Sequence, residues 1–321
     1  MKAPRSDQYR GERASTRAWT FHTLSSLSCP MMRHLTVGHA VAQATTRLDA
    51  AGIDTARLDA QVLLCHALGV DRAWLLAHPE VTLSPAQATA FADLVAARAS
   101  RQPVAYLTGH REFYGLDFCV TRAVLVPRPE TEHLVERAVA VVRAWRARHH
   151  RWPRIVEVGV GSGAIVVSLA HSLPDLMVTG VDVSPDALAV TAANARRHHV
   201  ADRVRLVEGD LLSPLTGTAD LVLANLPYIP SAELDGLAPE VRAEPRLALD
   251  GGPDGLDVFR RLFAQVPSRV APGGVLLLEM GAGQGAALLA LATCLDPARV
   301  TVTPDLAGHD RLLEIELHDN D

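Results

Sequence analysis

The spacing of apolar positions changes twice along this chain of 321 residues. Residues 1–32 carry little apolar periodicity; Lys2, Arg5, Arg10, Arg13 and Arg17 stand among serines and threonines, beside Asp7 and Glu12. That composition reads as a disordered leader, or as a misassigned start ahead of Met31 or Met32. From 33 to 103 the apolar positions recur at helical spacing. Leu58, Val62, Cys65 and Leu68 form one stripe that stops at Gly69, a helix-ending residue. Ser84-Pro85 offers an N-cap and a first-turn proline to the next helix, whose stripe is Phe91, Leu94 and Val95. The segment predicts a small Ala-rich helical bundle, used for substrate docking or support, with no ionisable cluster that suggests chemistry.

Between 104 and 130 the period shortens. Tyr106-Leu107, Phe113-Tyr114, Phe118-Cys119-Val120 and Val124-Leu125-Val126 alternate with Gly109 and Gly115, which predicts a β-hairpin connector. Pro127-Arg128-Pro129-Glu130-Thr131-Glu132 then leads into a helix over 131–147. A helix N-terminus accounts for the two acids through its dipole. Two prolines hold the backbone at a domain junction, also a place for a substrate-facing charge, and Arg128 is the candidate. From 131 to 321 strands alternate with helices. Strands are expected near 154–158, 177–182, 204–208, 219–224, 274–280, 299–303 and 311–317, and helices near 163–172, 185–198, 255–268 and 283–293. Apolar strands separated by helices form a parallel sheet covered on both faces. The last two strands lack a helix between them and should pair antiparallel. The fold class is α/β: a doubly wound, seven-stranded Rossmann-like sheet with an antiparallel edge strand. The long segment from Ile229 to Pro272 is a candidate substrate wall.

Composition narrows the function classes. At 48% hydrophobic the chain can fill a core, and at 4% aromatic that core is built from Ala, Leu and Val. Thirty-one basic residues against 36 acidic give a net charge of −5, so the broad basic field of duplex binders is lacking and direct DNA binding is disfavoured. The basic stretch Arg143–Arg154 reads as a solvated helix end and linker. Cys29, Cys65, Cys119 and Cys294 have no paired spacing, which argues against a metal site or a disulfide framework and suits the cytoplasm. No uninterrupted apolar run reaches membrane-spanning length.

Candidate chemistry clusters at strand ends. Ile155-Val-Glu157-Val-Gly159-Val160-Gly161-Ser162-Gly163 runs from a strand through glycines into a helix, where backbone can approach a ligand and free amides gather. Asp182 ends the second strand and can take ribose hydroxyls. Glu208-Gly209-Asp210-Leu211 ends the third, placed to reach an adenine edge. The pattern indicates an adenosine-containing cofactor. The loose dinucleotide fingerprint also fits, but the tighter Gly-x-Gly-x-Gly spacing is similar to S-adenosylmethionine sites. Asn225-Leu226-Pro227-Tyr228 ends the fourth strand with a side-chain amide, backbone carbonyls and an aromatic ring, the parts that hold a planar NH₂ group.

Together Glu157, the glycines, Asp182 and Asn225–Tyr228 resemble a class I methyltransferase acting on a planar nitrogen. Tyr106-Leu-Thr-Gly109, Glu112-Phe113, Pro127–Glu132, Glu244-Pro245 and Gly251-Gly-Pro-Asp-Gly-Leu256 narrow the resemblance to the peptide chain release factor glutamine methyltransferases. The helix Arg57–Gly69 resembles the helical substrate-docking domain of that family. The resemblance covers 33–317. It implies methyl transfer from S-adenosylmethionine to the glutamine amide of the Gly-Gly-Gln loop of release factors, with Glu157, Gly159–Gly163, Asp182, Asp210, Leu211 and Asn225 on the cofactor and Arg128 with Asn225–Tyr228 on the substrate. One residue departs: the family usually shows Asn-Pro-Pro-Tyr, and Leu226 replaces the first proline. Asn-Leu-Pro-Tyr resembles the spelling of ribosomal RNA adenine dimethyltransferases, so the alternative substrate is an adenine amine of RNA or DNA.

Overall fold

A computed structural model describes residues 35–319. The leader expected at 1–32 lies outside them. Four helices open the structure: α1 (Val37–Ala50), α2 (Ala56–Leu68), α3 (Arg72–Ala77) and α4 (Pro85–Ala99). Ser84 and Gln87 close a reciprocal capping box on α4, and Gly69 ends α2 in the left-handed conformation. The buried face of α2 differs from the stripe read in the sequence. Ala56, Ala60, Leu63 and Leu64 face inward, while Leu58 is exposed. Small alanines at the crossing let α1 and α4 approach closely, and a count of large side chains points to the wrong face. The bundle also carries a structural ion-pair network. Buried Arg98 donates to Asp59 at 2.7 Å and to Glu240 at 2.7 Å, and Glu240 also takes Arg101. Glu240 lies on α9 (Pro239–Arg242), so this network clamps the bundle onto the later segment 229–272.

The connector is shorter than predicted. Tyr106 and Leu107 belong to a helix, α5 (Val104–Thr108), and only β1 (His110–Phe113) and β2 (Leu116–Cys119) form the hairpin. Val124–Val126 lie outside any strand, with Val124 and Val126 buried in a small cluster of their own. The Tyr106 hydroxyl donates to the Val124 carbonyl at 2.6 Å, a bond that replaces strand pairing there.

The remaining chain builds one sheet from β3 (Ile155–Val158), β4 (Val178–Asp182), β5 (Val204–Glu208), β6 (Ala219–Asn225), β7 (Val270–Glu279), β8 (Pro297–Pro304) and β9 (Asp310–Leu317). Its order is β5-β4-β3-β6-β7-β9-β8. The first five strands run parallel; β9 is antiparallel to β7, and β8 pairs antiparallel with β9 at the edge. Strand alternation divides the core in two. Ile155, Leu221, Leu223, Val275 and Leu277 face α6 (Glu132–His149), α7 (Ala164–Ser172) and α8 (Pro185–Arg197). Val156, Val158, Val222, Ala224, Leu276 and Leu278 face α10 (Asp257–Arg269) and α11 (Gly285–Ala292). The order in which strands are added reverses between the parallel neighbours β3 and β6, which opens a crevice at their carboxyl ends, where open α/β sheets bind ligands.

At the opposite end of β6, buried Asp220 accepts from Arg151 at 2.7 Å, from the Arg154 main chain at 2.8 Å and from the Arg154 guanidinium at 2.9 Å. The basic stretch thus has a structural use. Although burial opposes its charge, the two guanidinium groups hold Asp220 below the usual carboxylate range. An Asp220→Asn variant is expected to lose about 2 kcal/mol of unfolding free energy at pH 7, the worth of a charge-assisted set whose cations stay solvated. A carboxylate with a depressed pKa stabilises above its unfolded value, near pH 4, and loses that contribution as pH falls through the folded one. Urea titration should therefore show the gap between wild type and variant constant from pH 5 to 8 and closing in stronger acid, by the same linkage.

Candidate active site

The loop after β3 is held by side chains from β4 and α8 and flanked by a buried acid of β3. Glu157, buried in β3, accepts from the Val166 amide in the first turn of α7 at 2.8 Å. Burial lifts its carboxyl well above the usual range. Asp182, at the end of β4 and only 9% exposed, accepts from Gly161 at 3.0 Å and from Ser184 at 2.9 Å. On α8, the Thr191 hydroxyl donates to the Gly161 carbonyl at 2.9 Å. Asn194 donates to Ser162 at 2.8 Å and exchanges bonds with both main-chain groups of Cys119 in the hairpin. Gly163 sits with φ +79°, and a β-carbon there would stand 2.7 Å from Thr191 Cγ2. The loop conformation is thus set by a carboxylate, a hydroxyl and a carboxamide from outside it.

A cavity of about 360 Å³ lies over the carboxyl ends of β3, β4, β5 and β6. Every candidate residue from the sequence lines it except Gly163 and Tyr228. Gly163 lies behind the loop against Thr191. The Tyr228 ring packs toward Gly281, and burial pushes its hydroxyl up to about 12. Asp210 reaches the wall while ion-paired with Arg261 of α10. Leu211 beside it has φ +53°, and the Leu212 amide is held by Gln265 at 2.8 Å.

Beside the glycine loop stands the turn after β6. Asn225 Nδ2 donates to Thr131 Oγ1 at 3.1 Å, so the carboxamide is oriented and its oxygen is the atom left over. Among the described residues no donor reaches Asn225 Oδ1 or the Leu226 carbonyl. The Leu226 side chain is buried and turned back onto the glycine loop, 3.5 Å from where a β-carbon of Gly159 would lie. The leucine side chain is thus an apolar anchor under the glycine loop, and Leu226 also lines the cavity.

Arg128 lines the cavity but is not a free cation. It donates to Glu244 at 2.6 Å, and Glu244 also accepts from the Val126 amide at 3.2 Å. Burial lifts Glu244 above the usual carboxylate range against the pull of Arg128. Glu240 and Glu244 tie one segment to both the bundle and the connector, and its continuation, Pro245 to Asp250, forms the outer wall. Leu247, 62% exposed, presents an apolar side chain at the mouth.

Sequence reasoning missed Thr191, Asn194 and Glu279, and quoted Thr131 without a role. Thr191 and Asn194 leave no local signal, because their partners are 30 or more residues away. Glu279 did leave one: an acid closing the apolar run Val275-Leu-Leu-Leu278 on a strand buried on both faces.

Residues 39–109 match the family model described as the PrmC N-terminal domain, and residues 155–243 match a methyltransferase domain. A release factor glutamine methyltransferase of Moorella thermoacetica is 47% identical over 279 residues, covering 86% of this chain and 97% of the relative. The protein of that name from Cereibacter sphaeroides is 44% identical over 279 residues, covering 87% and 97%. Among solved structures, the hMettl16 catalytic domain in complex with a MAT2A 3′UTR hairpin superposes with TM-score 0.50 at 17% identity, covering 71% of this chain and 82% of that one, a likeness of fold. With the relatives matching through both the helical and the sheet domain, the chain belongs to the release factor glutamine methyltransferase family, and it is a methyltransferase enzyme.

Proposed function

We propose that this protein transfers a methyl group from S-adenosylmethionine to the side-chain amide nitrogen of the glutamine in the Gly-Gly-Gln loop of peptide chain release factors, in the cytoplasm. The observation that carries the reading is the pair of unpaired oxygen acceptors, Asn225 Oδ1 and the Leu226 carbonyl, on the rim of a cavity suited to an adenosine-bearing donor. The residues present fit that donor. The cavity has the volume of a small-molecule site. Two carboxylates, Asp182 and Asp210, stand at the ends of neighbouring strands, and a β-carbon on Gly161 would meet nothing within 4 Å. Asp182 would hold the ribose, Asp210 and Leu211 the adenine, and Gly159–Ser162 the remainder.

Bound S-adenosylmethionine supplies an electrophilic methyl group on a sulfonium. The chain's own task is to make a poor nucleophile competent. A carboxamide nitrogen shares its lone pair with the carbonyl, and attack requires it to become tetrahedral and positive. Asn225 Oδ1 accepts one N–H and the Leu226 carbonyl accepts the other. Both oxygens lie where positive charge develops and are preoriented, one by Thr131 and one by the backbone, so little reorganisation is needed. Two acceptors suit the two N–H donors of an NH₂ group, and among the described residues the cations lining the cavity, Arg128 and Arg261, are ion-paired, which disfavours a carboxylate. The apolar mouth at Leu247 and Leu125 suits a loop rich in glycine, which lets backbone approach closely.

The test is transfer of label from methyl-labelled S-adenosylmethionine to a purified release factor, with mass spectrometry of the Gly-Gly-Gln peptide. One added methyl on that glutamine supports the reading; label found only in nucleic acid overturns it in favour of an adenine amine. A second measurement addresses Asp182. Its replacement by alanine removes a ribose acceptor and unties Gly161, so the dissociation constant for S-adenosylmethionine by calorimetry should rise at least tenfold, about 1.4 kcal/mol, the scale of a charge-assisted hydrogen bond. An unchanged constant removes Asp182 from the site.

A further inference from the structure

Asn225 ends β6 opposite Glu279 at the end of β7, so the turns that follow the two strands lie side by side. The turn after β7 is Gly281-Ala282-Gly283-Gln284, closed by the Gln284 amide on the Gly281 carbonyl at 3.1 Å, with Gly283 at φ +81°. Gln284 stands at the N-cap of α11, but its side chain makes no capping bond. It spans the two turns instead. Its Oε1 accepts from the Gly281 amide at 2.9 Å, and its Nε2 donates to the Tyr228 carbonyl at 2.9 Å. A main-chain amide only donates and a main-chain carbonyl only accepts, so the carboxamide has a single orientation here. Glycines leave it room. A β-carbon on Gly255, at φ +79°, would run into the Tyr228 carbonyl oxygen and stand 2.7 Å from Gln284 Nε2. One on Gly281 would stand 2.9 Å from Gln284 Oε1 and 3.1 Å from the Tyr228 ring. Gln284 does not line the cavity, and the functional reading gives it no task.

We propose that Gln284 is a positioning residue: by holding the Tyr228 carbonyl it fixes the direction of the Leu226 carbonyl, one of the two acceptors for the substrate NH₂. This rests on the function proposed above, which gives that carbonyl its role. The mechanical link is short. The Leu226 carbonyl belongs to the planar peptide bond with Pro227. The pyrrolidine ring locks φ of Pro227 and confines Leu226 to extended conformations. Between that carbonyl and the tied Tyr228 oxygen, only ψ of Pro227 and the two dihedrals of Tyr228 can turn.

The chain beyond Tyr228 is held by main-chain bonds. The Ile229 amide donates to Leu249 at 3.0 Å, the Gly251 amide to Ile229 at 2.9 Å and the Ser231 amide to Gly252 at 2.8 Å. None of these reaches Tyr228; among the described residues the donor that its carbonyl meets is the Gln284 side chain. On the near side, Asn225 is held by its place in β6 and by Thr131. The acceptor pair is therefore fixed at both ends, Asn225 by the sheet and Leu226 through Pro227 by Gln284. Misplacing a reacting group by about 1 Å can cost roughly 10²-fold in rate, so one hydrogen bond two residues from the acceptor has leverage on kcat beyond its share of stability.

The test compares wild type, Gln284→Leu and Gln284→Glu in the release-factor assay, well below the lowest melting temperature of the three, with kcat and the dissociation constant for S-adenosylmethionine read for each. Leucine keeps the bulk and loses both bonds. Glutamate, ionised at pH 8, still accepts from Gly281 but cannot donate to Tyr228. Both variants should lower kcat at pH 8 about tenfold, with the cofactor dissociation constant within about twofold of wild type. Acid separates them. A carboxyl facing a carbonyl oxygen is disfavoured in its ionised form, and once protonated it donates to Tyr228 again. Between pH 8 and pH 5 the kcat of Gln284→Glu relative to wild type should rise about threefold or more, while the ratio for Gln284→Leu stays level. A residue that only props the turn would show no such recovery. A wild-type kcat for either variant at pH 8, a cofactor dissociation constant that weakens in step with kcat, or a level ratio for Gln284→Glu overturns the assignment. Absence of transfer by the wild type at every pH overturns the functional reading instead, so the two failures are distinguishable.

Discussion

Asn225→Ala is expected to lower kcat for release-factor methylation by 10²-fold or more, about 3 kcal/mol of transition-state stabilisation, while leaving the dissociation constant for S-adenosylmethionine within a few-fold of wild type. The size follows from where the acceptor sits. Asn225 lines the cavity and its Oδ1 meets no donor among the described residues, so in the proposed mechanism its deletion leaves a substrate N–H unpaired as charge builds on nitrogen. Ground-state binding of the large substrate is spread over other surfaces, so the loss should appear in kcat more than in KM. Asn225→Asp sharpens the test. A carboxylate keeps an acceptor but cannot donate to Thr131, so it should recover part of the loss at most. Single-turnover rates with saturating cofactor give both numbers, and a wild-type rate for the alanine variant removes Asn225 from the mechanism.

Gly163→Ala should damage the cofactor site without touching the cavity. Two costs coincide at this residue. At φ +79° an alanine is strained by about 1 kcal/mol or more. Its β-carbon would also stand 2.7 Å from Thr191 Cγ2, and overpacking of this kind costs about 1–3 kcal/mol. Thr191 cannot yield freely, because its hydroxyl is committed to the Gly161 carbonyl. The loop shifts instead, and Gly161 moves relative to Asp182. Expected results are a fall in melting temperature of roughly 5–10 °C for a total near 3 kcal/mol, and a rise in the cofactor dissociation constant of about tenfold. Thr191→Ser in the same background removes the clashing methyl but keeps the hydroxyl, so it should return part of both losses. No recovery would mean that the strain at φ, not the contact, dominates.

The variants differ in what the chain alone reveals about them. Asn225, the glycines and Asp182 stand at the junction of an apolar run and a turn, where local rules apply: strands end, glycines permit tight backbone, acids and amides are out of place. Thr191 and Asn194 obey no such rule. Each acts on a partner that the fold delivers from elsewhere in the chain, and a threonine or asparagine on an Ala-rich helix looks like any solvated residue. The face of α2 was misread for a related reason. Burial there follows how closely α1 and α4 approach, which depends on alanines and not on the largest side chains. Arg128 looked like a free cation because Glu244, its partner, is 116 residues away.

Period, punctuation and strand-end chemistry were enough for the order along the chain of the strands in the large sheet, its parallel run with an antiparallel finish, and most of the candidate residues that line the cavity, since these depend on neighbours within about a dozen positions. Packing alone settled the rest: which helix face is inside, which charges are spent on ion pairs, that Tyr228 turns toward Gly281, and that Thr131 receives the Asn225 amide. The direction of a hydrogen bond depends on what else its donor can reach, and that becomes defined only when strands from distant parts of the chain lie side by side.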